Sequence, residues 1–255
     1  MDVIKELRET TGVSVMQCKR ALEEAGGDIE KALIILRKQS GAAALKKADR
    51  NAADGLVVIK ENSNEAVLLV LNCETDFVAR NVDFVALSEN IAEYALSHNI
   101  EETKEYAQGP IAEAVQKIGE NIQLGSIQKV SGEVLGSYVH NGKNGALVVL
   151  SAGTTNLAKD IAMHVSAMRP TFITREEVTE ADTEKAKEVF RAEVEENGAG
   201  KPEEIKEKML QGKLDSFIKE QVLMEQSFIK DPSKTIAQLL KESSASIVLV
   251  EKYSI

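Results

Sequence analysis

An internal repeat constrains this chain more than any other feature. From Gly55, GLVVIKENSNEAVLLVL reads as strand, polar turn, strand. From Gly132, GEVLGSYVHNGKNGALVVL repeats the device, with Asn141-Gly142 as a strong hairpin signal. Each hairpin leads into an amphipathic helix, LSENIAEYAL from Leu87 and LAKDIAMHVSAM from Leu157. The pattern predicts an α+β fold with a duplicated hairpin-plus-helix core, residues 55–131 in one subdomain and 132–255 in the other. Aligned at those two leucines, the first copy carries about nine extra residues between strand and helix. They fall in NCETDFVARNVDF, so this stretch elaborates a duplicated unit rather than completing its minimal core.

Two further segments surround the repeat. Residues 1–40 read as three short helices. Val3, Ile4 and Leu7 give one apolar face, closed by Thr11-Gly12. Ser14 with Gln17 three positions later fits a capping box, and Val15, Cys18, Leu22 and Ala25 recur at helical spacing before Gly26-Gly27. Asp28 caps a third helix with Ile29, Ala32, Leu33 and Leu36 on its core side, and the unit resembles a ubiquitin-associated-type bundle. Residues 41–54, small and basic, read as a linker. After MRPTFITREEV, two charged helices are expected at about 175–196 and 203–229, broken by NGAGKP. Ala186, Val189, Phe190 and Val194 face Ile205, Met209, Phe217, Ile218 and Val222 in narrow stripes, predicting a projecting antiparallel helical hairpin inserted at 175–229. DPSKTIAQLLKE reads as a short helix and SASIVLVEKY as a closing strand.

Composition narrows the function classes. A formal net charge of -10 on 255 residues argues against a nucleic-acid binder that works by phosphate neutralisation. Cys18 and Cys73 lie in no metal-ligand spacing and fit a reducing cytosol. MDVIKELRET is charged at once, so no signal peptide is expected, and no apolar run approaches the ~20 residues of a membrane span. An enzyme finds little support: there is no GxxxxGK[ST], GxSxG, HExxH, or GxGxxG after a strand. His164, on the apolar side of IAMHVSAM, reads as a packed core residue, and His98, past a helix end, as solvated. His140 stands at a hairpin tip, either as a plain exposed residue or as a contact. Lys19 and Arg20 face away from Cys18 and Leu22, as a solvated helix face would.

Phe77 is the residue worth placing. It either packs on its own sheet or is presented to another molecule. Its neighbour Asp76 is costly to bury unpaired. Thr75 is positioned to cap one helical turn, DFVARN, which would hold the pair rigidly and reduce the ordering cost of binding.

TDFVARN, with TTGVSVMQCKRALEEAGGDIEKA, KIGENIQL, IAMHVSAMRPTFI and PSKTIAQLLKE, gives the chain from 1 to 255 a resemblance to the bacterial translation elongation factor Ts family. The resemblance implies a cytoplasmic guanine-nucleotide exchange factor for elongation factor Tu, with no cofactor, no metal, no nucleic acid and no membrane. It implies a wedge of Thr75, Asp76, Phe77 and Val78 entering the partner's G domain near its magnesium site, supported by Ile118 and Gly119. Lys19, His140 and Lys159 would touch other parts of that partner. Asp160 stands where the family can carry histidine, which puts the contact around Lys159 in question. Some members continue into a further helical module, whereas this sequence ends at EKYSI. A homodimer and a two-plus-two complex with Tu are both open. The competing reading is a cytosolic helper or adaptor that binds through the bundle and the helical hairpin, which leaves Asp76-Phe77 unexplained. A small-molecule enzyme would need a cavity with convergent polar groups.

Overall fold

The computed structural model describes residues 2–255. Its contacts divide the chain into two compact units. One holds residues 1–132 with 139–145 and 251–255; the other holds 133–138 with 146–250. The tip of the second hairpin, assigned by sequence to the second subdomain, therefore clusters with the first unit.

The first unit opens with α1 (Asp2–Thr11), α2 (Val15–Glu24) and α3 (Ile29–Lys47). The Ser14 hydroxyl accepts from the Gln17 amide and the Gln17 side chain accepts from the Ser14 amide, a complete capping box. Asp28 accepts from the Lys31 amide at the start of α3. Leu7, Val13, Cys18, Ala21, Leu22, Ala32 and Leu36 form one apolar cluster among the three helices. The expected linker is shorter than the sequence suggested, because α3 runs through residues 41–47. After Ser40-Gly41, AAALKK at 42–47 is a run of strong helix formers, and Ala44 packs against the adjoining core.

The sheet of this unit has the order β1 (Asp54–Glu61), β2 (Glu65–Cys73), β3 (Gln123–Ser131), all antiparallel. Val67, Leu69 and Leu71 of β2 face a core built with Phe84, Ile91, Ala92 and Ala95 of α5 (Val82–Ser97) and Ala107 and Val115 of α6 (Ile100–Ile118). Between β2 and α5 stands a single helical turn, α4 (Asp76–Ala79).

The second sheet has the order β4 (Val134–His140), β5 (Asn144–Leu150), β8 (Ile247–Ser254). Asn141 and Gly142 both have positive φ, 50° and 68°, and the Lys143 amide donates to the His140 carbonyl at 3.0 Å, which is the two-residue turn Asn-Gly favours. Ala146, Val148 and Leu150 of β5 pack with Ala158, Ile161, Ala162 and Val165 of α7 (Thr155–Met168). The repeat is thus legible in burial: Ser88, Ile91, Ala92 and Ala95 of α5 and Ala158, Ile161, Ala162 and Val165 of α7 occupy matching positions and all are buried.

After α7 the helical pair is α8 (Glu180–Asn197) and α9 (Glu203–Gln221). Glu195 pairs with Lys206, Glu193 with Lys213, and Phe190 meets Phe217 edge-on, so the two helices run antiparallel. The pair is shorter than expected. Residues 175–177 form a 3-10 turn, and the chain leaves α9 at Val222, which bridges Phe172. Leu223 and Phe228 then enter the core of the second unit, so 222–229 is not a continuation of α9 but a 3-10 turn at 223–225 followed by a short strand. Val189 is 63% exposed, whereas Leu214 of α9, absent from the expected stripe, is buried. A two-stranded ribbon, β6 (Ser227–Phe228) with β7 (Asp231–Thr235), leads to α10 (Ile236–Glu242), capped by Thr235. No helix among the described residues is long and apolar enough to cross a membrane.

Candidate functional site

The link between β2 and α5 is built from residues that cannot all be satisfied by packing. Thr75 takes the N-cap of α4, its hydroxyl accepting from the Val78 amide at 3.4 Å. Val78 and Ala79 turn inward to the core of the first unit. Phe77 turns outward and is 83% exposed, the most exposed of the chain's large hydrophobic side chains among the described residues. Its own-core alternative is thereby removed. Val78, grouped with the wedge by the sequence reading, is a buried anchor instead, since a side chain one position on from Phe77 points into the core. Asp76 lies half-exposed beside Phe77, its carboxylate 3.1 Å from the Arg80 guanidinium across one turn. Such a surface pair contributes little stability.

The turn is held from the α6–β3 junction. Gly119 ends α6 at φ 93°, a left-handed cap that a β-carbon would strain. The next residue, Glu120, reaches the start of the turn. One of its carboxylate oxygens accepts from the amides of Glu74 and Thr75, at 3.1 Å each, and the other accepts from the Thr75 hydroxyl at 2.7 Å. Glu74 answers in kind, accepting the Asn121 amide at 2.6 Å and pairing with Arg50 at 3.5 Å. Asn121 donates onward to the carbonyls of Ala48 and Arg50, and the Lys47 ammonium donates to the Gly119 carbonyl. Cys73, at the end of β2, donates to the Thr75 carbonyl at 3.2 Å; burial pushes its thiol up to about 11, so it serves as packing and not as a nucleophile.

The structure therefore brings Thr75, Asp76, Phe77 and Val78 together with Gly119, through Glu120. Ile118 packs its side chain against the core beneath. Lys19 stands apart on α2, exposed, paired with Glu23 of its own helix at 3.8 Å. His140 is exposed at the hairpin tip, with the Asn141 side-chain Nδ2 3.3 Å from its Nε2. That tip packs on β1: the Val57 amide donates to the Gly142 carbonyl at 2.7 Å, and Lys143 holds Asp54 and the Gly55 carbonyl. In the second unit, Lys159 is exposed on α7, and Asp160 beside it is engaged by Lys230 at 2.6 Å. The aspartate at that position thus has a partner within its own chain. His164 is fully buried as expected, receiving the Ile229 amide on Nδ1 and facing Gln226 from Nε2.

Glu74, Glu120 and Asn121 escaped sequence reasoning. The available signal was the Gly-Glu-Asn that follows a helical pattern, in which glycine marks a helix end and the polar pair behind it is too near the core to be idle.

Residues 74–255 match the family model described as Elongation factor TS. Among curated proteins, the chain is 43% identical over 263 residues to Elongation factor Ts of Alcanivorax borkumensis, covering 98% of this chain and 92% of that protein. It is 42% identical over 256 residues to Elongation factor Ts of Deinococcus radiodurans, covering 96% of each. It is 40% identical over 260 residues to Elongation factor Ts of Hahella chejuensis, covering 99% of this chain and 90% of that protein. With the family model matched over residues 74–255 and similarity to curated members over nearly the whole length, the chain belongs to the elongation factor Ts family of translation elongation factors.

Proposed function

We propose that this protein is the guanine-nucleotide exchange factor for elongation factor Tu, and that the Asp76-Phe77 turn is the part that opens the partner's nucleotide site. The observation that carries this reading is a phenylalanine 83% exposed on a turn whose neighbouring residues are buried and hydrogen-bonded. Exposed aromatics on rigid supports are the residues that dominate interface energies, because little ordering entropy is lost when they enter a pocket.

Exchange needs no chemistry of this chain's own. In the partner, magnesium bridges the nucleotide phosphates and residues of the G domain. A wedge that displaces those residues removes interactions on which GDP depends. An acceleration of ~1000-fold corresponds to about 4 kcal/mol off the barrier to release. One anchor of about 2 to 4 kcal/mol supplies much of that. Ile118 and Gly119 support the turn from beneath, while Lys19 on the ubiquitin-associated-like bundle, His140 at the hairpin tip and Lys159 on α7 make the outlying contacts with Tu. The complex forms with both GDP-bound and nucleotide-free Tu.

The test is release of labelled GDP from elongation factor Tu in the presence of catalytic amounts of this protein. Acceleration by two or more orders of magnitude is expected. Release at the unassisted rate, with binding intact, would favour an adaptor instead.

A further inference from the structure

We propose that Glu120 is a positioning residue for exchange, which fixes the direction in which Phe77 is presented. This inference rests on the exchange reading and assigns the turn's orientation to a residue outside it.

A four-residue helical turn cannot hold itself, because nucleation fixes several dihedrals for a single hydrogen bond. Burial of Val78 and Ala79 anchors the inner side of the turn but leaves its rotation about that anchor to be set by something else. Phe77, being exposed, has no packing to set it. Glu120 does so through the cap. The Thr75 hydroxyl has one proton, and giving it to Glu120 at 2.7 Å turns a lone pair toward the Val78 amide. The other carboxylate oxygen gathers the amides of Glu74 and Thr75, so both ends of the strand-to-turn corner are tied to one side chain. Glu120 in turn follows directly on the left-handed Gly119, whose carbonyl is held by Lys47 of α3. The turn is thus referenced to α3 and α6 as well as to the strand that precedes it.

Glu120→Gln tests this. Glutamine keeps the length and volume but offers one acceptor and one amino group where three donors converge. With saturating protein, stimulated GDP release from elongation factor Tu should slow about tenfold or more, while affinity for nucleotide-free Tu and the melting temperature change little. Hydrogen exchange of the amides at 74–78 in the free protein should rise. The decisive readout is a double-mutant cycle: in a Phe77→Ala background, Glu120→Gln should cost almost nothing further, because the residue acts through that ring. Should Glu120→Gln fold poorly, Thr75→Val removes the same hydroxyl contact, and Thr75→Ser should restore release. An active wild type with an equally active Glu120→Gln, or independent losses that multiply in the cycle, would overturn the inference while leaving exchange in place. A wild type that does not accelerate release would overturn both, and that outcome is separate because it needs no variant.

Discussion

The two copies of the repeat join strand to helix by different means. In the second, residues 151–154 suffice: the Thr154 hydroxyl accepts from the Leu157 amide at 3.2 Å, and Ser151 meets Ser246 through both backbone and hydroxyl. In the first, residues 74–81 do the same tasks, with Asn81 capping α5 and Glu74 and Thr75 tied to Glu120, but a helical turn is set between them. Capping and tethering are what the fold requires of such a link. The turn is additional, and it is the element that leaves a large aromatic in water. The part of the link that serves the fold is thereby distinct from the part to which the proposed exchange role is assigned.

The largest effect should come from removing that difference. Replacing residues 74–81 by Ser-Ala-Gly-Thr, the sequence of the short link, should return GDP release from elongation factor Tu to the unassisted rate while a cooperative melt persists. Retained exchange would show that the turn is not the working part.

Two phenylalanines seven positions apart sharpen the same contrast. Phe84 is fully buried between α5 and the sheet, so Phe84→Ala should cost about 3 to 5 kcal/mol of stability through lost burial and a residual cavity. Phe77→Ala should leave stability within about 0.5 kcal/mol, as surface truncations do. Denaturant melts of the two variants measure both, and a large loss from Phe77→Ala would return that ring to the core.

Much of this was legible in the sequence. The repeat announced itself through alternating strands and an Asn-Gly turn, and the Ser14 box and Asp28 cap appear where their residue types require them. Two elements were silent. Helix α6 carries Gly109-Pro110 in its middle, a pair that ordinarily marks a break, yet the helix continues because packing against α3 and α5 outweighs propensity. Strand β3 is weakly apolar and contains Gly125, where a β-carbon would oblige the Asn72 side chain to shift. At the site, Thr75, Asp76 and Phe77 could be read from local chemistry, but Glu120 lies 45 residues from Thr75 and only tertiary structure brings them together.

A smaller effect concerns the helices of the two copies. His164 of α7 aligns with Tyr94 of α5, yet His164 is fully buried while Tyr94 stacks near the surface between His98 and Tyr106. Burial lowers the His164 pKa below its ordinary 6.5, partly opposed by the Gln226 hydrogen bond. A folded value below the unfolded one means that the stabilisation is present in full above about 6.5. It is lost as the pH falls from there through the folded value, because the unfolded chain takes up the proton first. Stability should therefore decline from pH 7 to pH 5 more steeply in the wild type than in His164→Gln, as denaturant midpoints would show. Equal slopes would mean that His164 is accessible to protonation in the folded state.

The central claim, that Phe77 acts on the partner's nucleotide site, is tested most directly by the mutual coupling between this protein and GDP. Whatever factor the protein imposes on GDP affinity, GDP imposes equally on the protein's affinity for Tu. Titration calorimetry of the wild type and of Phe77→Ala, each against nucleotide-free and GDP-loaded Tu, gives the four affinities needed. The coupling factor should shrink in Phe77→Ala, with affinity for nucleotide-free Tu less affected, so that GDP with magnesium dissociates the variant complex less effectively. An unchanged coupling factor would contradict it and leave Phe77 as an exposed ring without a part in exchange.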